Sequence, residues 1–208
     1  LIIVDKDSDG FSVGQKIDNK MGTRSAPTSE LIFDNCKVSL ENLIGSEGHG
    51  LDYVKYTMEK CRVILASGCL GIAREAFEIA TNYALQRSSG KQQLYKLQTI
   101  RNKLAKISTQ IYTMASVVYK TAELIDKSDK SGSSDFVGYG SMSKVYCSDT
   151  LQDVLYECLQ ILGGYGFIED FPLERMTRDA RVTTIYEGPN EVLDMIIASE
   201  VLKEMSGL

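Results

Sequence analysis

Gln160-Ile-Leu-Gly-Gly-Tyr-Gly-Phe167, Phe171-Pro-Leu-Glu-Arg-Met-Thr-Arg-Asp179 and Ile185-Tyr-Glu-Gly-Pro-Asn-Glu191 are three blocks of one stretch near the end of a 208-residue chain. An apolar run ends at Leu162, and Gly163, Gly164 and Gly166 follow it. A helix therefore stops there, and main chain without side chains is free to approach a ligand closely. Pro172 opens a short helix that carries Glu174, Arg175, Arg178 and Asp179. Beyond it Glu187 stands between a tyrosine and a glycine, and Pro189 suits the first turn of a last helix. Two readings follow. In one, a backbone cradle precedes a carboxylate whose apolar and aromatic neighbours disfavour its charged form, which strengthens it as a general base. In the plainer one, the stretch is a helix stop, a surface ion-pair helix and a carboxylate favoured by a helix dipole.

Upstream of this stretch the apolar residues recur at helical spacing. Leu51, Val54, Met58, Cys61, Leu65, Cys69, Ile72, Ala76, Ala80 and Tyr83 are three or four apart, with no proline among them. They predict a long amphipathic helix from Leu51 to about Arg87. Ser88 to Gln93 breaks it. A second stripe, Leu97, Ile100, Leu104, Ile107, Ile111, Met114, Val118 and Ile125, ends at a polar loop expected over 126–134. A third helix is expected over Phe136 to Leu162. The last, Asn190 to about Met205, is expected to bury Val192, Met195, Ile196 and Leu202. Three long helices and a shorter one joined by short connections imply an antiparallel four-helix bundle. Val63, Ile64, Ala66, Val117 and Ala122 are apolar or small residues off the main stripes, more than a bundle with one wet face needs.

The first fifty residues differ. Leu1 to Val4, Phe11 to Val13 and Ser29 to Val38 read as strands separated by turns at 5–10 and 22–28. Three strands are too few for an independent sheet domain, so 1–50 is expected to be the end of a larger β-domain and 51–208 the helical domain. The fold class is thus mainly α, a four-helix bundle preceded by a few strands.

Composition limits the partners. The formal net charge of -5 and pI near 5.1 offer nothing to nucleic acid or an anionic membrane surface. No apolar run approaches the roughly 20 residues of a membrane span. The five cysteines form no C-x-x-C pair and are expected to be reduced and mostly buried. His49 is the only histidine and reads as a turn residue, so no metal site is expected.

The words Q-I-L-G-G-x-G-[FY], P-x-E-R-x-x-R-D-A and I-Y-E-G-x-x-E, in this order and at this spacing, resemble the C-terminal signature of the acyl-CoA dehydrogenase family. Further matches are Gly22-x-Arg24, Leu31-x-Phe-x-x-x-x-Val38, Arg62 ahead of Tyr83-Ala-Leu-Gln-Arg87, and Gln98-x-Ile-x-x-Lys-Leu-Ala105. The resemblance covers nearly the whole chain. It implies the end of that family's middle β-domain followed by its helical domain, as the C-terminal part of a longer enzyme.

By resemblance the chemistry is α,β-dehydrogenation of an acyl-CoA thioester to the trans-2-enoyl-CoA with FAD as cofactor, as in fatty acid β-oxidation. Glu187 is then the base that takes the α-proton, and Gly188 contacts the thioester region. Some members carry the base just before Arg62; that position is Cys61 here. The family places residues like Glu59 and Arg62 at the acyl-CoA, while a helix-surface ion pair is the plainer reading of the two. Arg87 matches an arginine that reaches FAD phosphate or ribose, as a guanidinium fork suits, though a cation at a helix end also complements the dipole. Gln160, Gly163 and Gly164 match the segment that meets the adenine half of FAD in a neighbouring subunit. Gln98 and Glu191 complete the cofactor contacts. The implied partners are electron-transfer flavoprotein and further copies of the chain, as a dimer of dimers. The compartment would be the mitochondrial matrix in a eukaryote or the cytoplasm in a bacterium.

Two departures from the family pattern stand out. The phenylalanine expected after Arg87 is absent from Arg87-Ser-Ser-Gly-Lys91, and Pro189 replaces a hydroxyl residue. Proline brings neither hydroxyl nor N–H to a cofactor. An acyl-CoA oxidase-like enzyme and a non-catalytic helical assembly module are the alternatives on the same fold.

Overall fold

The computed structural model describes residues 1–131 and 136–206. The chain divides into two compact units, Leu1–Met58 and Glu59–Leu208.

In the first unit β1 (Phe11–Lys16) pairs antiparallel with β2 (Ser29–Phe33), Phe11 opposite Phe33 and Val13 opposite Leu31. The register shifts between Val13 and Lys16. The strand expected over Ser29 to Val38 stops at Phe33 because Asn35 adopts a left-handed φ of 49°. The strand expected at Leu1 to Val4 is not formed as such. Ile2 makes a single bridge to Leu43, flanked by Ile3 N–H to Asn42 carbonyl and Ile44 N–H to Leu1 carbonyl, each 3.0 Å.

The helices begin with α1 (Gly50–Gln86), whose first residues belong to the first unit. A tight hairpin of β3 (Ser88–Ser89) and β4 (Gln92–Gln93) interrupts the helical pattern. Then come α2 (Gln98–Ser131), α3 (Tyr139–Leu162), the short α4 (Leu173–Ala180) and α5 (Asn190–Ser206). The polar segment expected to be a loop from Asp126 is helical as far as Ser131, and the rest of that loop lies outside the described residues. Tertiary contacts explain the extension. Ile125 and Ser128 are buried, and Lys60 of α1 meets Asp129 at 2.7 Å.

Side-chain pairs give the direction of each helix. Along α2 and α3, Lys103 meets Glu157 and Thr121 meets Ser143, so the two run antiparallel. Along α1 and α2, Lys60 meets Asp129 while Val63 clusters with Ile125. Along α3 and α5, Ser148 meets Asn190 while Gly138, just before α3, lies against Glu200. The four long helices thus form the antiparallel bundle expected from their spacing.

A stripe of small residues on α1, from Ala66 through Ala73, Ala76 and Ala80 to Ala84, is fully buried against Cys147, Leu151, Val154, Leu155 and Cys158 of α3 and Ile107, Met114 and Val118 of α2. Small side chains let α1 settle deep between its neighbours. The closest approach is at Gly140, where a Cβ would stand 2.2 Å from the Glu59 carbonyl oxygen, so no larger residue fits. The inward face of α5 differs from expectation. Leu193 and Asn190 are buried, Ile196 is half-buried, and Val192, Met195 and Leu202 are exposed. The anchoring of α5 by its first turn fixes this rotation.

Candidate active site

The chain leaves α4 through a 3-10 turn, Arg181–Thr184, and reaches α5 across Ile185 to Pro189. Two successive residues of this link, Glu187 (φ 57°) and Gly188 (φ 97°), are left-handed. Glycine adopts that conformation freely, but for a glutamate it costs about 1–3 kcal/mol, so the surroundings must enforce it. The carbonyl of Pro189 accepts from Val192 N–H at 2.9 Å and Leu193 N–H at 3.1 Å, which starts α5 at once.

Two buried cations hold the turn. Arg62 of α1 donates from Nε to the Glu187 carbonyl at 3.2 Å, and Lys144 of α3 donates from Nζ to the Gly188 carbonyl at 2.8 Å. Behind Arg62 lies Glu59. Its Oε1 accepts from Arg62 Nη1 at 2.5 Å and from Ser141 Oγ at 2.7 Å. Its Oε2 accepts from the main-chain N–H groups of Gly138 and Ser141, each at 3.2 Å. Glu59 is 4% and Arg62 8% exposed, so this is an interior ion pair and not one on a helix surface. Each charge is matched by several donors or acceptors, which burial requires. Both side chains are turned to the protein's own groups.

Lys144 is fully buried and donates a second bond, to Asn190 Oδ1 at 2.6 Å. Asn190 passes the connection on, donating from Nδ2 to Asp149 Oδ1 at 2.7 Å and to Ser148 Oγ at 3.0 Å. Burial pulls the Lys144 ammonium below its usual range; the nearby Arg62 charge acts the same way, and Asp149 and Glu191 act against it. The Glu187 side chain itself is only partly enclosed, but its Oε2 is shut off from solvent and has no hydrogen-bond partner among the described residues. An orphaned buried carboxylate oxygen is rare in folded proteins and leaves Oε2 with capacity to accept from a water or a ligand.

A second set of residues forms a surface groove. Tyr83 and Arg87 at the end of α1 line it with Leu162, Gly164, Tyr165 and Ile168, and Phe171 lies alongside. The Arg87 guanidinium stands 5.3 Å above the Tyr165 ring, and Tyr83, Tyr165 and Phe171 pack at centroid distances of 5.9–6.1 Å. A Cβ added at Gly163 or Gly164 would meet nothing within 4 Å. The groove therefore combines an exposed guanidinium, aromatic faces and open main chain.

The anticipated residues fall into separate groups. Glu59, Arg62, Glu187 and Gly188 meet in the buried network, and Glu191 lies on the exposed first turn of α5, close enough to act on Lys144. Arg87 and Gly164 share the groove, with Gly163 beginning its glycine segment. Gln160 contributes its carbonyl to the Gly163 N–H that ends α3, and its side chain is exposed. Gln98 leads α2, also exposed, outside both groups. Ser141, Lys144 and Asn190 were not anticipated. The signal for Lys144 was available: it falls on the buried stripe of α3, between Gly140 and Cys147, where an unpaired ammonium would not be tolerated.

Residues 48–202 match the family model described as acyl-CoA dehydrogenase, C-terminal domain. The chain belongs to the acyl-CoA dehydrogenase family. It is 38% identical over 200 residues to an acyl-CoA dehydrogenase of Bacillus subtilis, covering 96% of this chain and 51% of the relative. Among solved structures, butyryl-CoA dehydrogenase from Megasphaera elsdenii superposes with a TM-score of 0.90 at 37% identity, over 97% of this chain and 51% of that one. Acyl-CoA dehydrogenase of Bacillus anthracis, solved in complex with FAD, superposes with a TM-score of 0.91 at 32% identity, over 99% of this chain and 38% of that one. The chain thus spans about half the length of the first two relatives. Membership implies FAD as the cofactor, and the groove fits part of it: a guanidinium suits phosphate, aromatic faces suit a base, and Gly163 and Gly164 leave room for close approach.

Proposed function

We propose that this chain is the helical part of an FAD-dependent acyl-CoA dehydrogenase in which Glu187 is the base. The observation that carries the reading is the Glu187 carboxylate, with its buried and unpartnered Oε2, on a left-handed turn fixed by Arg62 and Lys144. An α-proton of a thioester is weakly acidic, so its removal needs a base that is placed in advance and poorly solvated. Glu187 takes that proton and Gly188 flanks the thioester. The chemistry FAD would supply when bound is acceptance of the β-hydrogen as hydride, so that the acyl-CoA would leave as the trans-2-enoyl-CoA. Arg62 and Glu59 act from beneath by holding the turn, since their polar atoms are engaged within the protein.

For the cofactor, Arg87 and the 163–164 main chain would hold phosphate and adenine, with Tyr83 and Tyr165 as the aromatic wall. Gln98, Gln160 and Glu191 are exposed and would reach it only from their own surfaces. Electron-transfer flavoprotein as acceptor, assembly as a dimer of dimers, and a mitochondrial or bacterial cytoplasmic setting belong to the same proposal.

The test is Glu187→Gln in the intact, FAD-loaded protein. Flavin reduction by acyl-CoA should slow by several orders of magnitude while the flavin stays bound. Near-normal reduction would show that another residue is the base.

A further inference from the structure

We propose that Lys144 is a positioning residue for Glu187: its ammonium, held by Asn190, fixes the Gly188 carbonyl and so the direction in which the base points. The proposal rests on Glu187 being the base. Lys144 stands on the second turn of α3 and is fully buried, and one of its bonds goes to the residue directly after Glu187. Asn190 lies just beyond, as the first residue of α5. A single ammonium thus ties together α3, the left-handed turn and the start of the next helix, with bonds of 2.8 and 2.6 Å.

The other clamp, Arg62, acts on the peptide before. It holds the carbonyl of Glu187 and leaves the orientation of the following peptide open. A left-handed residue followed by a left-handed glycine has shallow alternatives, because glycine rotates at little cost. Without Lys144 the Gly188 carbonyl is free to swing, and Glu187 swings with it on a pivot one residue away. A displacement of about 1 Å at a reacting group is enough to cost on the order of 10²-fold in rate.

Lys144→Met keeps the length of the side chain and removes the donor. Asn190→Ala keeps the ammonium and removes its side-chain partner. Both are made in the intact, FAD-loaded protein and read by stopped-flow flavin reduction with an acyl-CoA substrate. The expected result is a fall in the reduction rate constant of about 10²-fold for Lys144→Met and about 10-fold for Asn190→Ala. The dissociation constant of a non-dehydrogenatable acyl thioester should stay within about threefold of wild type. The decisive reading is the isotope effect. With α-deuterated acyl-CoA it should grow in both variants, because a misplaced base makes proton removal harder, while the β-deuterium effect should not grow. A merely loosened fold would weaken thioester binding and leave the α-deuterium effect as it was, and that outcome overturns the proposal. Wild-type reduction rates in the variants overturn it as well. Near-normal reduction by Glu187→Gln would instead overturn the base assignment beneath it.

Discussion

The Nε of Arg62 donates to the main-chain carbonyl of Glu187 across 3.2 Å, joining the fourth turn of the bundle's first long helix to a turn 125 residues later. The same guanidinium binds Glu59 and Ser141 through Nη1. It is the hinge between a buried ion pair and the proposed catalytic turn. Arg62→Met would leave Glu59 charged and buried with its neutral donors only, and should destabilise the chain by about 3–5 kcal/mol. Adding Glu59→Gln removes the stranded charge and should recover much of that loss. Urea unfolding of the single and double variants measures both. Equal stability for the two would mean that the pair carries no interior charge coupling.

Three buried thiols make stability depend on alkaline pH. Burial pushes Cys69 up to about 11, and Cys147 and Cys158 up to about 12, from an ordinary value of 9.0. Below pH 9 the thiols are neutral in both folded and unfolded chains and contribute no slope. Above it only the unfolded chain releases protons, so unfolding becomes easier as pH rises towards 11–12. Each thiol adds a slope of about 1.4 kcal/mol per pH unit in that window. Replacing all three with alanine should remove this part of the slope, which is seen by comparing urea midpoints of variant and wild type at pH 8 and pH 10. A thiol reagent at neutral pH should label Cys36 and Cys61 alone before unfolding, since these two are only half-buried.

The helices were legible in the sequence because their apolar residues repeat at helical spacing without a break. The expected start at Leu51 and end near Arg87 lie within a residue of α1. Glu187, Arg62 and Glu59 were legible by type and spacing, but their shared burial was not, since it depends on α1, α3 and the link before α5 meeting in space. Lys144 was passed over because composition treats lysine as a surface residue. The orientation of α5 was missed for a related reason. Its apolar residues lie nearly all round, so no face is preferred, and the Lys144–Asn190 bond selects the face that turns inward. The off-stripe residues fared unevenly: Val63 and Ala66 are core, whereas Ile64 is 70% exposed. Strand 1–4 was overread from a short apolar run whose pairing goes no further than Ile2 and Leu43.

The surface of the bundle predicts self-association. Met195 at 70% and Leu202 at 65% exposure project from α5, Tyr112 and Tyr119 from α2, and Ile64 from α1. Large apolar side chains repeated along exposed helix faces are what subunit interfaces cover. Sedimentation of the intact protein at micromolar concentration should give a species larger than a monomer. Met195→Glu with Leu202→Glu should shift it towards smaller species with the helical content unchanged. A monomer in the unaltered protein would refute the assembly.

The chain by itself should keep its bundle but not its cofactor. The residues that fit FAD, Arg87 with Tyr83, Gly164 and Tyr165, form one wall of a surface groove, and Arg87 is exposed there. A wall supplies contacts without enclosure, and a charged contact left in water is worth little. The chain covers about half the length of an acyl-CoA dehydrogenase and a butyryl-CoA dehydrogenase with which it aligns, and we propose that further flavin contacts come from outside these residues. The first unit adds a hazard, because its two-stranded sheet exposes Val13, Leu31 and Phe33 beside unpaired strand edges. Residues 1–208 expressed alone are therefore expected to show strong helical circular dichroism, a tendency to aggregate, and no stoichiometric flavin band after addition of FAD and gel filtration. They should also fail to reduce an artificial electron acceptor with acyl-CoA. A flavin band that survives filtration and bleaches on adding acyl-CoA would sink this expectation, and would mean that the helical part holds and reduces the cofactor without further enclosure.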